Sequence, residues 1–468
     1  MRLAKQSILY FVSDVGTSVI GFLAILYFAR VLGSEPLGQY FSIIGLIAWA
    51  TVPTNGLSAA INKRISEGKD ADEIFSAATV INGAYGGFLF FVSILGGRYV
   101  NAYIGAEVNV LLASLLVINI IYTSTRGGLR GKKEVVTAGF LRTFDGVLRT
   151  GSQIALIYLG YNLLGLVLGH IAALVISAFV GVILFGLRPK IPSRKAFEDL
   201  YSYVKYSWLG EIKGKTFGWM DVIVLQLFVS SSLVGVYGVS WRLASALILV
   251  SNAVSAVIFP EVSDLSVDGN DDNVRDLLNE AMFFAGIFVI PGFFGVLAIG
   301  DRILRIYGGE FVEGVVILLI LILARAVNVY GSQMLNMING INRPDVAFRI
   351  NLVFVVSNLS LNFGLVYLFS WYGAAVATAT SSLVTLVLSY RSISRLLGKP
   401  EIPMLGILRQ VASGGIMAVV LLSLEYLMPF WNMYLTIGAV LFAAFVYAVS
   451  LYTLSGRVRE KTQSLVPL

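Results

Sequence analysis

The sequence predicts an all-α integral membrane protein of about 14 transmembrane helices, arranged as two pseudo-symmetric six-helix lobes followed by a C-terminal helix pair. Three observations carry that expectation. Mean hydropathy is +0.82, and apolar runs long enough to span ~30 Å of hydrocarbon recur from end to end. Cations are distributed unequally between alternate connections. A weak internal repeat relates the two halves.

The segments follow in order. Ser7–Ala29 comes after Arg2 and Lys5 and superficially resembles a signal peptide, but it is too long and lacks a clean small-x-small cleavage site, so it reads as the first membrane helix. Gly38–Ile61 contains Pro53, which should kink it. Ile74–Gly96, Val108–Thr125, Val135–Leu159 and Leu163–Leu187 complete the first six. Tyr206–Val229 is the least apolar, being interrupted by Glu211, Lys213, Lys215 and Asp221. Leu233–Phe259, Val274–Ile299 (with Pro291), Gly314–Ile338, Val346–Phe369 and Gly373–Leu397 complete the second six. Leu405–Met428 and Tyr434–Leu454 form the additional pair.

Composition excludes several classes. There is no cysteine, hence no disulfide framework and no thiolate chemistry. The single histidine, His170, rules out a histidine metal cluster, and neither a metal nor another cofactor is expected. No connection is long enough for a soluble domain; the longest polar ones are Leu187–Leu200 and Pro260–Asn273. A formal charge of +7 reads as a topology signal rather than an affinity for nucleic acid, because the cations lie beside or inside membrane segments.

With the N-terminus inside, one set of connections holds Arg2 and Lys5, Lys63, Arg64 and Lys69, Arg126, Arg130, Lys132 and Lys133, Arg188, Lys190, Arg194 and Lys195, Arg343, Arg395 and Lys399, and Arg457, Arg459 and Lys461. The other set holds Arg30, Arg98, Arg302 and Arg305. This bias follows the positive-inside rule and places both termini in the cytoplasm.

The repeat pairs Val31–Tyr40 (Val-Leu-Gly-Ser-Glu-Pro-Leu-Gly-Gln-Tyr) with Phe228–Tyr237 (Phe-Val-Ser-Ser-Ser-Leu-Val-Gly-Val-Tyr), and Gly131–Val135 with Asn342–Val346. Six is even, so both halves have the same orientation and a twofold along the membrane normal relates them. The expected organisation is an N-terminal lobe at 1–187, a cytoplasmic linker at 188–205, a C-terminal lobe at 206–397, and the extra pair with a cytoplasmic tail at 398–468.

Cations inside apolar stretches are the main functional clue. A cation near the bilayer centre costs at least ~2.5–3.5 kcal/mol on insertion scales, so it faces a protein interior or an aqueous cavity. Arg142, Arg149, Lys213, Lys215, Arg242, Arg325 and Arg349 qualify, and together they suggest an anionic substrate. Arg142, Asp145, Arg149 and Ser152 share one helix face, where Asp145 can pair with either arginine. Glu211 and Lys215 are spaced as a self-neutralising pair. Arg325, Asn328, Ser332, Asn336 and Asn339 form a polar stripe suited to a hydrated groove or to interhelical hydrogen bonds. Asp14 is a candidate for Na⁺ or H⁺ coupling, and His170 for a helix-packing role.

The stretch Phe28–Tyr40, written A-R-x-L-G-x-x-x-x-G-x-Y from Ala29, resembles the polysaccharide-transporter branch of the multidrug/oligosaccharidyl-lipid/polysaccharide exporter superfamily, which includes the O-antigen-type (Wzx) flippases. Gly128-Leu-Arg-Gly-Lys-Lys and Tyr372-Gly-Ala-Ala-Val-Ala-Thr extend the resemblance, as do the segment number and the terminal pair. The resemblance implies flipping of a polyprenyl-phosphate- or pyrophosphate-linked oligosaccharide across the plasma membrane by alternating access, not enzymatic turnover. The implied partners are the lipid-linked oligosaccharide, membrane lipids, Na⁺ or H⁺, and a glycan polymerase or glycosyltransferases, with the transporter acting as a monomer. A Na⁺- or H⁺-coupled multidrug exporter is the rival; it calls for an acidic interior, and Asp14 is its best support. A lipid II flippase is a nearer cousin that no motif excludes. A membrane scaffold would have no reason to retain intramembrane arginines, and a glycosyltransferase would need a metal-holding acidic loop, for which only residues 261–272 offer material.

Overall fold

Helices account for nearly all of the described chain in the computed structural model, which describes residues 16, 19–249, 251, 255, 258, 261–262, 271–428 and 432–465. Among these residues the anticipated membrane segments are mainly helix, with turns at 247–248 inside Leu233–Phe259 and at 286–288 inside Val274–Ile299, which makes this an all-α multi-pass membrane protein. Among the described residues eight helical spans, with 272–305 taken as one, are each long and apolar enough to cross a membrane, and a bent pair makes a ninth.

α1 (Val19–Leu32) ends at Gly33, whose φ of 82° turns the chain into α2 (Ser34–Ala50). α2 meets α3 (Val52–Ser66) at a 51° bend. Pro53, at the start of α3, supplies the cause, since it has no N–H to continue the ladder and its ring crowds the preceding turn. Asp70 caps α4 (Ala71–Leu95) by accepting from the N–H groups of Asp72 and Glu73 at 3.0 and 3.1 Å. The short α5 (Gly97–Ile104) was not expected. Its Asn101 side chain accepts from Val108 and Asn109 N–H and so starts α6 (Asn109–Gly131).

α7 (Val135–Tyr158) and α8 (Leu163–Phe185) form an antiparallel hairpin. α9 (Arg194–Phe228) is 35 residues long, so the last two thirds of the expected linker are its first turns. α7 and α9 fall outside the strictly apolar set because Arg142, Asp145 and Arg149 interrupt one, and Glu211, Lys213, Lys215 and Asp221 the other. α10 (Ser231–Ala246) follows.

Beyond it come α11 (Asp271–Ala285), α12 (Val289–Arg305) and α13 (Val315–Gly340). The single helical span Pro344–Leu396, here α14, breaks at Phe369–Ser370 into the two arms that the hydropathy pattern separates. Ser370 takes φ 54° at this reversal. Asn358 in one arm donates to Thr378 in the other at 3.3 Å. α15 (Met404–Leu427), α16 (Met433–Leu454) and α17 (Gly456–Leu465) complete the chain.

Two compact units divide it, one ending at Gly235 and one beginning at Val236. In the first, α3 packs on α6 and α9, α4 on α6, and α6 on α8. In the second, α13 packs along α14, and α12 lies between α13 and α15, with α16 on α15.

Within each unit, connections and segment ends expected on one side of the membrane meet one another. Lys190 is 2.5 Å from Asp70, Arg188 N–H donates to Asp72, and Lys69 pairs with Asp199 at 3.2 Å. In the second unit Asn279 donates to Glu401 O at 2.8 Å, and Lys461 pairs with Glu280 at 2.5 Å.

Inside the first unit, the two repeat motifs touch. Ser34 and Ser232 hydroxyls are 2.6 Å apart. A Cβ on Gly38 would collide with Ser231 O, and one on Gly235 with Ser34 O. This reciprocal backbone approach of α2 and the first turn of α10 is possible only with small residues at those positions. The Gly128–Lys133 motif is likewise structural: Lys132 donates to Phe185 O at 2.5 Å, satisfying a carbonyl at the end of α8, and lies 3.9 Å over the Phe185 ring.

Candidate functional site

In the first unit the α7 stripe converges with α8 and α2. Asp145 is buried and lies 3.9 Å from Arg149, its i+4 neighbour, so the pairing falls to Arg149. Arg149 keeps 35% of its side chain accessible. Its guanidinium is also 3.3 Å from His170 Nε2, and His170 Nδ1 is 3.2 Å from the Tyr40 hydroxyl. Gln153, one turn beyond Arg149, donates to Tyr40 Oη at 2.9 Å and to Leu166 O at 2.8 Å.

A guanidinium only donates, so His170 Nε2 must accept, and the hydrogen sits on Nδ1 facing Tyr40. The chain Asp145–Arg149–His170–Tyr40–Gln153 thus orients Arg149 from behind. A guanidinium has five N–H donors, and the contacts with His170 and Asp145 leave others for an oxyanion. Ser152 donates to Leu148 O at 2.7 Å, while Arg142 is exposed.

On α9, Lys213 and Lys215 are half-buried and Asp221 is buried. The Glu211–Lys215 pair expected from spacing is corrected: no ion pair joins them among the described residues, and Glu211 is exposed. The i,i+4 relation permits a contact without enforcing it.

In the second unit, α13 presents its stripe. Arg325 is 6% exposed, with its guanidinium 3.9 Å above the Trp241 ring and donating to the Ser245 hydroxyl. Asn328 is buried; Ser332, Asn336 and Asn339 are half-buried. Arg242 donates to Gly238 O at 3.2 Å within α10. Arg349 is exposed on the first turns of α14.

Gln333, passed over in the sequence, does more than its neighbours. It accepts from Ser255 Oγ at 2.9 Å and donates to Ser251 Oγ at 2.9 Å. The sequence singles out neither Tyr40 nor Gln153 for this role, and for His170 it suggests only packing. The available signal was a lone histidine in a helix of mean hydropathy 2.5, where a polar group needs a partner. Asn358, Asn362, Ser381, Ser382 and Thr385 are buried in a polar seam of α14 that the sequence pattern did not single out. Asp14 lies outside the described residues. No cluster of metal-binding side chains occurs among those described.

Comparison with known proteins then decides the family. Residues 27–316 match the family model described as polysaccharide biosynthesis protein. The probable flippase AglR of Haloferax volcanii is 31% identical over 99% of this chain and 98% of its own length. The chain belongs to the polysaccharide biosynthesis protein family. The probable low-salt glycan biosynthesis flippase Agl15 of the same organism is 31% identical over 84% of each chain. The lipid II flippase MurJ in an inward closed conformation superposes with a TM-score of 0.78 at 14% identity, covering 95% of this chain and 98% of that one. That likeness establishes the fold of this polysaccharide biosynthesis family member. The relatives named here are flippases rather than enzymes.

Proposed function

We propose that the protein is a flippase that carries a polyprenyl-phosphate- or pyrophosphate-linked oligosaccharide from the cytoplasmic to the outer leaflet of the plasma membrane, for synthesis of cell-surface glycan. The observation that carries this reading is the near full-length similarity to a probable flippase. The side chains support it: Arg149 is held by neighbours that leave part of its donor fork open, and Arg325 lies in a polar stripe. Arginine suits phosphate through persistent charge and forked donors.

In this reading Arg142, Arg149, Lys213, Lys215, Arg242, Arg325 and Arg349 attract and hold the phosphate, and Asn328, Ser332 and Asn336 contact sugar. The isoprenoid tail stays in lipid while the polar headgroup moves past protein, avoiding the cost of crossing hydrocarbon unpaired. Both termini are cytoplasmic, the transporter works as a monomer without cofactor, and Asp14 couples transport to Na⁺ or H⁺. The test is reconstitution of the full chain in proteoliposomes with a fluorescent lipid-linked oligosaccharide loaded on one leaflet. Protein-dependent appearance of the sugar on the opposite leaflet is expected. Transport of organic cations with no movement of lipid-linked sugar would overturn the reading in favour of a drug exporter.

A further inference from the structure

A separate basic cavity lies in the second unit, where the start of α15, the end of α16 and the beginning of α17 meet α11. Its volume is about 330 Å³, and its lining includes Asn279, Phe283, Pro403, Arg409, Ser455 and Arg457. Among the described residues, no acidic one is part of that lining. Glu280 is engaged instead by Lys461, and Glu401 offers its backbone oxygen to Asn279.

Each polar element has a defined state. Arg457 is held in place, donating to Asn279 Oδ1 at 2.8 Å with its guanidinium 5.0 Å over the Phe283 ring. Arg409, half-buried on α15, makes no ion pair or hydrogen bond with the described residues. Ser455 is 1% exposed, and its hydroxyl has no hydrogen-bond partner among the described residues. It stands just before α17, where a serine hydroxyl ordinarily caps the first turn. α15 also begins at the cavity without a side-chain cap; Met404 N–H is taken by Ile402 O, and the N–H groups that follow it add partial positive charge. A buried hydroxyl left unpaired is unfavourable, and an acceptor in the cavity would pair it.

We propose that this cavity binds a phosphate group, either the headgroup of an anionic phospholipid or a free phosphate. Arg409 and Arg457 bind its oxygens, Ser455 donates its hydroxyl, and the apolar wall at Phe283, Ile402 and Met404 accommodates the carbon side of an ester. The bound anion ties the C-terminal helices α15–α17 to α11. This site is distinct from the arginines assigned to transport and does not depend on that reading.

The test uses the full chain purified in detergent, exchanged extensively, and then supplemented with phosphatidylglycerol, diacylglycerol or inorganic phosphate. Retained lipid is counted by native mass spectrometry, and the thermal midpoint is recorded. The wild type should retain one phosphatidylglycerol and gain thermal stability, with diacylglycerol giving neither. Arg409→Gln should weaken retention about tenfold or more, and Ser455→Ala by a few-fold with little disturbance of packing. Competition by millimolar inorganic phosphate identifies a free phosphate as the natural occupant; lack of competition identifies the lipid. Arg459→Gln, which removes a tail cation outside the cavity, should bind as the wild type does. Equal binding by Arg409→Gln, Ser455→Ala and wild type overturns the proposal. So does an equal loss in Arg459→Gln, or no phosphate ligand bound by the wild type.

Discussion

Replacing Arg149 by Gln separates structural from functional charge. The substitution leaves Asp145 buried, with 8% of its side chain accessible, and removes the cation 3.9 Å away. Breaking a fully buried pair from one side costs about 3–5 kcal/mol, whereas an exposed pair is worth about 0–1 kcal/mol. Arg149 is one-third exposed and its contact is long, so the ion-pair loss should fall near 1–3 kcal/mol, an order-of-magnitude figure. Losing the hydrogen bond to His170 adds about 1 kcal/mol.

The double variant Asp145→Asn/Arg149→Gln removes the stranded carboxylate and should recover most of the ion-pair part. Thermal unfolding of the purified protein reads stability, and proteoliposome translocation of lipid-linked oligosaccharide reads function. If Arg149 binds phosphate, the double variant should be nearly as stable as wild type yet translocate about tenfold to a hundredfold more slowly, the loss of one charge-assisted contact of about 1.5–3 kcal/mol. Recovery of wild-type translocation together with stability would refute the assignment and leave Arg149 as the counterion of Asp145.

Three further outcomes are expected. Arg325→Lys keeps the charge but loses the guanidinium contact over Trp241, worth up to about 2 kcal/mol in a desolvated setting, so thermal stability and transport should both fall; unchanged values would show that the contact is idle. Gly235→Ala gains about 1 kcal/mol of helix propensity but drives a methyl into Ser34 O, and overpacking of about 1–3 kcal/mol should win, measured as a lower unfolding temperature. Asp70 bonds to Lys190, to Glu73 N–H and to Asp72 N–H, which holds its carboxyl below the usual range, while Asp70 in turn raises the Lys190 ammonium. The aspartate contribution is therefore present above the unfolded carboxylate pKa and fades as pH falls through the lower folded value; the lysine contribution is present below the unfolded ammonium pKa and fades as pH rises through the higher folded value. The protection factors of the backbone amides at residues 187–193, with the intrinsic pH dependence of exchange divided out, should be largest at neutral pH in the wild type and lose that dependence in Asp70→Asn.

Much of the fold was legible because bilayer thickness sets segment length. The two arms of α14 separated in the sequence at Phe369 and Gly373, next to the observed break at Phe369–Ser370. α5 escaped because a window sized to span hydrocarbon averages away an eight-residue amphipathic helix. At the candidate site, the Asp145–Arg149 relation lies within one helix and follows from periodicity. The backing of Arg149 by His170, Tyr40 and Gln153 joins three helices, and no one-dimensional spacing encodes such a meeting. Glu211 and Lys215 show the converse, with correct spacing and side chains of different exposure that do not pair.

The crossing of α2 with α10 has a consequence for assembly in the cell. Ser34 and Ser232 are separated by 198 positions along the chain. At about 5–20 residues per second, the ribosome delivers the second strip roughly 10–40 s after the first. Throughout that interval the glycine notch of α2 stands open in the bilayer, with its backbone exposed to any small-residue helix that diffuses past. A nascent protein stalled before Gly235 therefore displays a site that the finished molecule conceals, a ready mark by which membrane quality control could tell an incomplete chain from a complete one.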